Sequence, residues 1–140
     1  MLAERRRAAA LKGGLDVDDA IADGAVVAAT SLNARAIVAF TESGSTAGRV
    51  AAYRPSRPLF ACSPDFRAGA KLSLRWGVIP VIAQRFDTVQ DMFQAGSELA
   101  LESGIAREGD VVVTVMGLPI GIPGTTNLLR VITLPEPPSD

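Results

Sequence analysis

The chain has 140 residues, with 14 Lys+Arg against 15 Asp+Glu and no His. A domain of this length buries roughly 70% of the surface that its unfolded chain exposes, so one hydrophobic core suffices, while a near-zero net charge excludes the basic footprint of a nucleic-acid or anionic-membrane binder. The lack of His removes the usual general base, the Ser/His and Cys/His nucleophile pairs and the commonest metal ligand, and the single Cys62 leaves no disulfide within one chain.

Residues 1–15 open with MLAERRRAAALKGG, whose apolar stretch after the basic cluster is too short for a signal peptide or a membrane span. Arg5, Arg6 and Arg7 read as a solvated helix face ending at Gly13-Gly14, a helical linker to a domain over 16–134. From Asp16, the stretch DVDDAIADGAVVAATSLNA sets Val17, Ala20, Ile21, Ala25, Ala28 and Leu32 on one stripe behind an Asp N-cap, which predicts an amphipathic helix. AIVAF at 36–40 is a continuous apolar run, as expected of a strand covered on both faces. After TESGST a helix is predicted over 45–53, stopped by Arg54-Pro55 and Pro58. LFACS at 59–63 is a second buried strand, in which Cys62 reads as a small hydrophobe. Asp65 opens a helix through Leu74 that ends near Trp76-Gly77, with Trp76 as a packing anchor. VIPVIA at 78–83 is a third strand, put at a sheet edge by Pro80. Asp87 to Glu102 is a long helix carrying Val89, Met92, Phe93, Leu99 and Ala100 and closed by Gly104. DVVVTVM at 110–116 and NLLRVITL at 127–134 are the last strands, and the Pro-rich polar tail at 135–140 is expected to be disordered.

Strands alternating with helices predict parallel βαβ units in a three-layer α/β/α sandwich. The last connection, GLPIGIPGTT, has no room for the helix of a parallel return, so the fifth strand should run antiparallel beside the fourth. With the third strand at an edge, right-handed crossovers give a mixed five-stranded sheet in the order 3-2-1-4-5. The sheet then reverses between its first and fourth strands, and ligands in open α/β sheets bind at such a switch point. TESGST leaves the first strand there, and MGLPIGIPGTT leaves the fourth.

A phosphate needs convergent N–H donors free of crowding, with the positive end of a helix dipole behind them. Ser43, Gly44, Ser45 and Thr46 fit that need; equally, Ser43 or Ser45 could cap the helix while Gly44 permits the turn. Glu42 opposes an anion unless its side chain points away. The nucleotide signatures G-x-x-x-x-G-K-[ST] and G-x-G-x-x-G are absent, and Thr41-Glu42 stands where a receiver domain would carry a phosphate-accepting Asp. The second Gly-rich loop is uncharged and long, as functional loops often are. Arg49, Arg54, Arg75 and Arg107 could each meet a phosphate, although a lone Arg is usually solvated. Gly48, inside the second helix, costs roughly 1 kcal/mol relative to Ala.

The stretches FTESGSTAGRVAAYRPSRPLFACSPD, LRWGVIPV and EGDVVVTVMGLPIGIPGTTNLLRV, spanning about Asp16 to Leu134, resemble the C-terminal domain of pyruvate kinase. The resemblance implies a mixed five-stranded α/β sandwich in a cytoplasmic, homotetrameric glycolytic enzyme, contributing one subunit interface. It also implies an allosteric site, where Thr41, Glu42, Ser43, Gly44, Ser45 and Thr46 grip the phosphate of an activating sugar phosphate or nucleotide. The effector loop would comprise Gly117 to Thr125, including Pro119, Gly121 and Gly124. In this family the catalytic lysine and the Mg²⁺ and K⁺ ligands lie on a separate barrel domain, so this chain alone should hold no cofactor and transfer no phosphate from phosphoenolpyruvate to ADP. It departs from the pattern at Gly48, which pushes the usual Arg to Arg49, a possible phosphate partner. The place where some bisphosphate-activated members carry a phosphate-binding Arg falls near Met92. A monophosphate effector, a sugar monophosphate or AMP, is therefore expected rather than fructose 1,6-bisphosphate. The alternative is a free-standing interaction module that dimerises without an effector.

Overall fold

The structure, a computed structural model, describes residues 16–136 except Ser73, Trp76, Gly121, Pro123 and Gly124. The expected linker at 1–15, the packing role of Trp76 and tail residues 137–140 lie outside the described residues. The elements alternate in chain order: α1 (Val17–Ser31), β1 (Ala36–Phe40), α2 (Ser45–Ala52), β2 (Leu59–Ser63), α3 (Phe66–Leu72), β3 (Val78–Ile82), α4 (Val89–Glu102), β4 (Val111–Met116) and β5 (Leu128–Thr133).

The sheet order is β3-β2-β1-β4-β5. Strands β1, β2, β3 and β4 pair in parallel, and β5 runs antiparallel to β4, as the short Gly/Pro connection requires. Every residue of β1 and β2 is buried, because side chains of both parities meet a helix layer. Ile37, Ala39, Ala61, Val113 and Val115 face α1 and α2, whereas Val38, Phe40, Phe60 and Cys62 face Met92, Phe93 and Ala100 of α4. The change of face follows from handedness. Steps from β1 to β2 to β3 move one way along the sheet, and the return from β3 to β4 moves the other way, so right-handed crossovers put α4 opposite α2 and α3.

Asp16 caps α1, accepting from the Asp19 N–H at 2.9 Å. The buried face of α1 is Ala22, Asp23, Ala25, Val26 and Ala29, rotated from the expected stripe. Ala25 is common to both, Ile21 and Ala28 pack at the margin, and Val17 and Leu32 are 62% and 49% exposed. In an Ala-rich helix the large residues do not mark the buried side. The close approach of α1 to β4 and α2 selects the small ones, and Val17 and Leu32 at its ends project into solvent.

Glu136, expected in a polar tail, is buried instead. Its carboxylate accepts from Arg130 Nη1 at 2.8 Å and Gln90 Nε2 at 2.9 Å, and its N–H donates to Ser97 Oγ at 3.0 Å. Arg130 in turn lies 4.4 Å over the Phe93 ring. Tail composition could not show this, because the partners lie on α4 and β5.

The long β4–β5 connection is pinched at its base. The Asn127 carboxamide accepts from the Leu118 N–H and donates to the Leu118 carbonyl, both at 2.8 Å, replacing the ladder that the loop interrupts. Gly117 is packed so closely that a Cβ there would lie 1.9 Å from the Thr125 carbonyl oxygen.

Three outcomes follow. Gly117→Ala should destabilise the domain by about 3 kcal/mol in denaturant titration, since backbone blocks the added methyl. Gly48→Ala should stabilise it by about 0.5–1 kcal/mol: nothing in the structure explains this glycine, whose added Cβ would meet only Arg75 Nη2, at 3.9 Å. Burial pushes the Cys62 thiol up from 9.0 to about 12. A folded-state value above the unfolded one gives stability that is intact below about pH 9 and lost as pH rises toward 12. Denaturant midpoints measured from pH 8 to pH 10.5 should therefore fall more for wild type than for Cys62→Val; parallel curves would refute it.

Candidate functional site

The site lies where β1 and β4 sit side by side and their outgoing connections separate. The Thr41 N–H continues the sheet ladder to the Cys62 carbonyl at 2.9 Å. Its hydroxyl then accepts from the Gly44 N–H at 2.9 Å, folding the chain into a tight turn. Gly44 adopts φ +92°, a left-handed conformation that glycine takes without the steric penalty of a Cβ. Gly44 is also the N-cap of α2, with no side-chain capping bond. Neither Ser43 nor Ser45 caps the helix, so the first-turn N–H groups are left open at the positive end of its dipole.

The second Gly-rich loop is stitched to this turn. Thr46 Oγ1 lies 2.8 Å from Thr126 Oγ1 and donates to the Thr125 carbonyl at 3.3 Å. The Thr126 N–H donates to Asp18 Oδ1 at 2.9 Å, bringing the start of α1 into the same network. Arg49, expected as a phosphate partner, spans Asp19 at 3.1 Å and Asp18 at 3.5 Å. Two carboxylates already match its charge.

The predicted residues divide between two surfaces. Thr41, Glu42, Thr46, Gly117 and Thr125 line one cleft at the carboxyl ends of the strands. Ser43, Gly44, Ser45 and Arg49 line an open groove between α2 and α3, together with Arg75. Pro119 is exposed on the β4–β5 connection, and Gly121 and Gly124 lie outside the described residues. The cleft has an apolar wall of Phe40, Phe86, Ile120 and Ile122, with Met92 beside it. Phe40 and Phe86 meet edge to face, with ring centroids 5.8 Å apart. The enclosed volume is about 50 Å³, room for a few waters.

Glu42 does not point away. Its carboxylate lines the cleft and pairs with Arg85 Nη2 at 3.0 Å, while its carbonyl accepts from Ser63 Oγ at 3.2 Å. Arg85 is the residue that the sequence reading passed over. Its signal was position: it follows the carboxyl end of an outer strand, on the side of the sheet where switch-point ligands sit. Among the described residues no cluster of His, Cys, Asp and Glu could hold a metal ion. No helix among them is long and apolar enough to cross a membrane.

Comparison with known proteins identifies the family. The family model for the pyruvate kinase alpha/beta domain matches residues 19–132. The chain is 39% identical over 116 residues to a pyruvate kinase from Clostridium acetobutylicum, covering 83% of this chain and 24% of that protein. It is 37% identical over 117 residues to one from Lactobacillus delbrueckii subsp. bulgaricus, covering 84% and 20%, and 38% identical over 112 residues to one from Agrobacterium vitis, covering 80% and 24%. The chain thus spans between a fifth and a quarter of the length of these curated relatives. With a match across nearly all of its described elements, the chain belongs to the pyruvate kinase alpha/beta (C-terminal) domain family.

Proposed function

We propose that the chain serves as the regulatory and assembly domain of a cytoplasmic pyruvate kinase, and that its switch-point cleft takes the phosphate of an activating metabolite. The observation that carries this reading is the uncapped first turn of α2, tied through Thr46 to the Thr125-Thr126 end of a Gly-rich loop. Open N–H donors at the positive end of a helix dipole are what an anionic metabolite requires. Met92, buried and uncharged beside the cleft, favours a monophosphate such as a sugar monophosphate or AMP.

The chain does no phosphotransfer alone in this reading; transfer from phosphoenolpyruvate to ADP, with its metal ions, belongs to the remainder of the enzyme. Val17, Val27 and Leu32, exposed on α1, suit a helix that packs against another copy in a homo-oligomer. Effector binding would then favour one assembly state through its differential affinity for the two.

Thermal shift and calorimetry with glucose 6-phosphate, AMP and fructose 1,6-bisphosphate provide the test. A monophosphate at about 100 times its dissociation constant should add about 2.7 kcal/mol of stability. Tighter binding of the bisphosphate would refute the monophosphate assignment. No shift with any phosphorylated metabolite would favour the interaction-module reading.

A further inference from the structure

The pair between Glu42 and Arg85 joins two segments across the mouth of the cleft. Glu42 leaves β1 and Arg85 follows β3, with the carboxyl end of β2 running between them. Among the described residues lining the cleft, Arg85 is the one cation and Glu42 the one anion; Thr41, Thr46, Gln84 and Thr125 are polar but neutral. The two side chains are unequally buried, 20% exposed for Glu42 and 65% for Arg85. The Ser63 hydroxyl holds the Glu42 carbonyl, so the carboxylate can turn about its own side-chain bonds while the backbone stays in place.

We infer that Glu42 stands in for the ligand's anionic group: in the free domain its carboxylate occupies the Arg85 guanidinium, and a ligand phosphate displaces it there. Arg85 is then the cation that recognises the phosphate, reaching in from the β3 side opposite the first turn of α2. The exchange is energetically reasonable. An ion pair with a solvent-exposed partner opens at little expense, whereas a phosphate dianion offers guanidinium two strong, charge-assisted hydrogen bonds. Glu42 cannot remain beside that dianion, and its route out is the solvent at the cleft mouth. The ligand class is an organic monophosphate whose body rests against Phe86, Ile120 and Ile122. The proposal rests on the reading of the cleft as a phosphate site.

Calorimetry at fixed ionic strength with glucose 6-phosphate, AMP and inorganic phosphate tests it on wild type, Glu42→Gln, Arg85→Gln and the double variant. Glu42→Gln should bind up to about fivefold tighter, the most that an ion pair of this kind withholds. Arg85→Gln should bind about tenfold more weakly or worse. Removing Glu42 should gain less in the Arg85→Gln background than in wild type, because only its repulsion of the dianion, and no longer its hold on the guanidinium, is then relieved. Both side chains lie at the cleft mouth, so all four proteins should melt alike. Binding to inorganic phosphate alone would place recognition on the phosphate itself; binding confined to the two metabolites would add the apolar wall. Wild-type binding that Arg85→Gln leaves unchanged would overturn the exchange and spare the site. Weaker binding by Glu42→Gln would also overturn it, and binding by Glu42→Gln where wild type shows none would support it. Failure of wild type and Glu42→Gln alike to bind any of the three would overturn both readings.

Discussion

The parallel pairing of β1 with β4, which sets Ala36 to Ala39 opposite Val112 to Val115, separates the two chains as they leave the sheet. One turns into α2, and the other loops over to β5. That parting leaves a recess at the carboxyl ends of the strands, as a reversal of strand order does in open α/β sheets. Every feature of the candidate site is a way of filling or guarding this recess. The Thr41 turn, the bare helix start, the β4–β5 loop and the aromatic pair Phe40 and Phe86 surround it from different elements. None of those elements lies there for a local reason.

The charges at the recess are arranged in two separate sets. On the α1 side, Asp18 holds the Thr126 N–H and, with Asp19, the Arg49 guanidinium, so the start of α1, the body of α2 and the end of the loop share one carboxylate. On the β3 side, Glu42 and Arg85 form a pair with much of its surface in water. The first set is woven into backbone donors and several side chains, and opening it would leave polar groups stranded. The second has one partner on each side and can rearrange cheaply. A domain with this division keeps its scaffold stiff on the face carrying α1 and adaptable at the mouth.

Much of the fold was legible in the sequence because it depends on coarse signals. Short apolar runs such as AIVAF and LFACS announce covered strands, Pro80 marks an edge, and a connection too short for a helix forces β5 to run antiparallel. The face of α1 was not legible, since among many alanines the exposed Val17 and Leu32 look more hydrophobic than the buried Ala22 and Ala29. Nor was the binding of Glu136, whose partners Gln90, Ser97 and Arg130 converge only in three dimensions. At the site, the loops and their convergence could be read from topology. The choice of arginine could not: Arg49 lies close in sequence to the Thr41–Thr46 turn yet is claimed by Asp18 and Asp19, while Arg85, remote in sequence, reaches the cleft.

The Asn127 carboxamide closes the β4–β5 connection with two hydrogen bonds to one residue, Leu118. The strands below that closure are insulated from whatever lies above it. The exposed Pro119 and Ile122 can therefore be exchanged without disturbing the register of β5, whereas Thr125 and Thr126 are fixed by Thr46 and Asp18. Sequence change at the tip of the arch is thereby decoupled from the strand pairing beneath it.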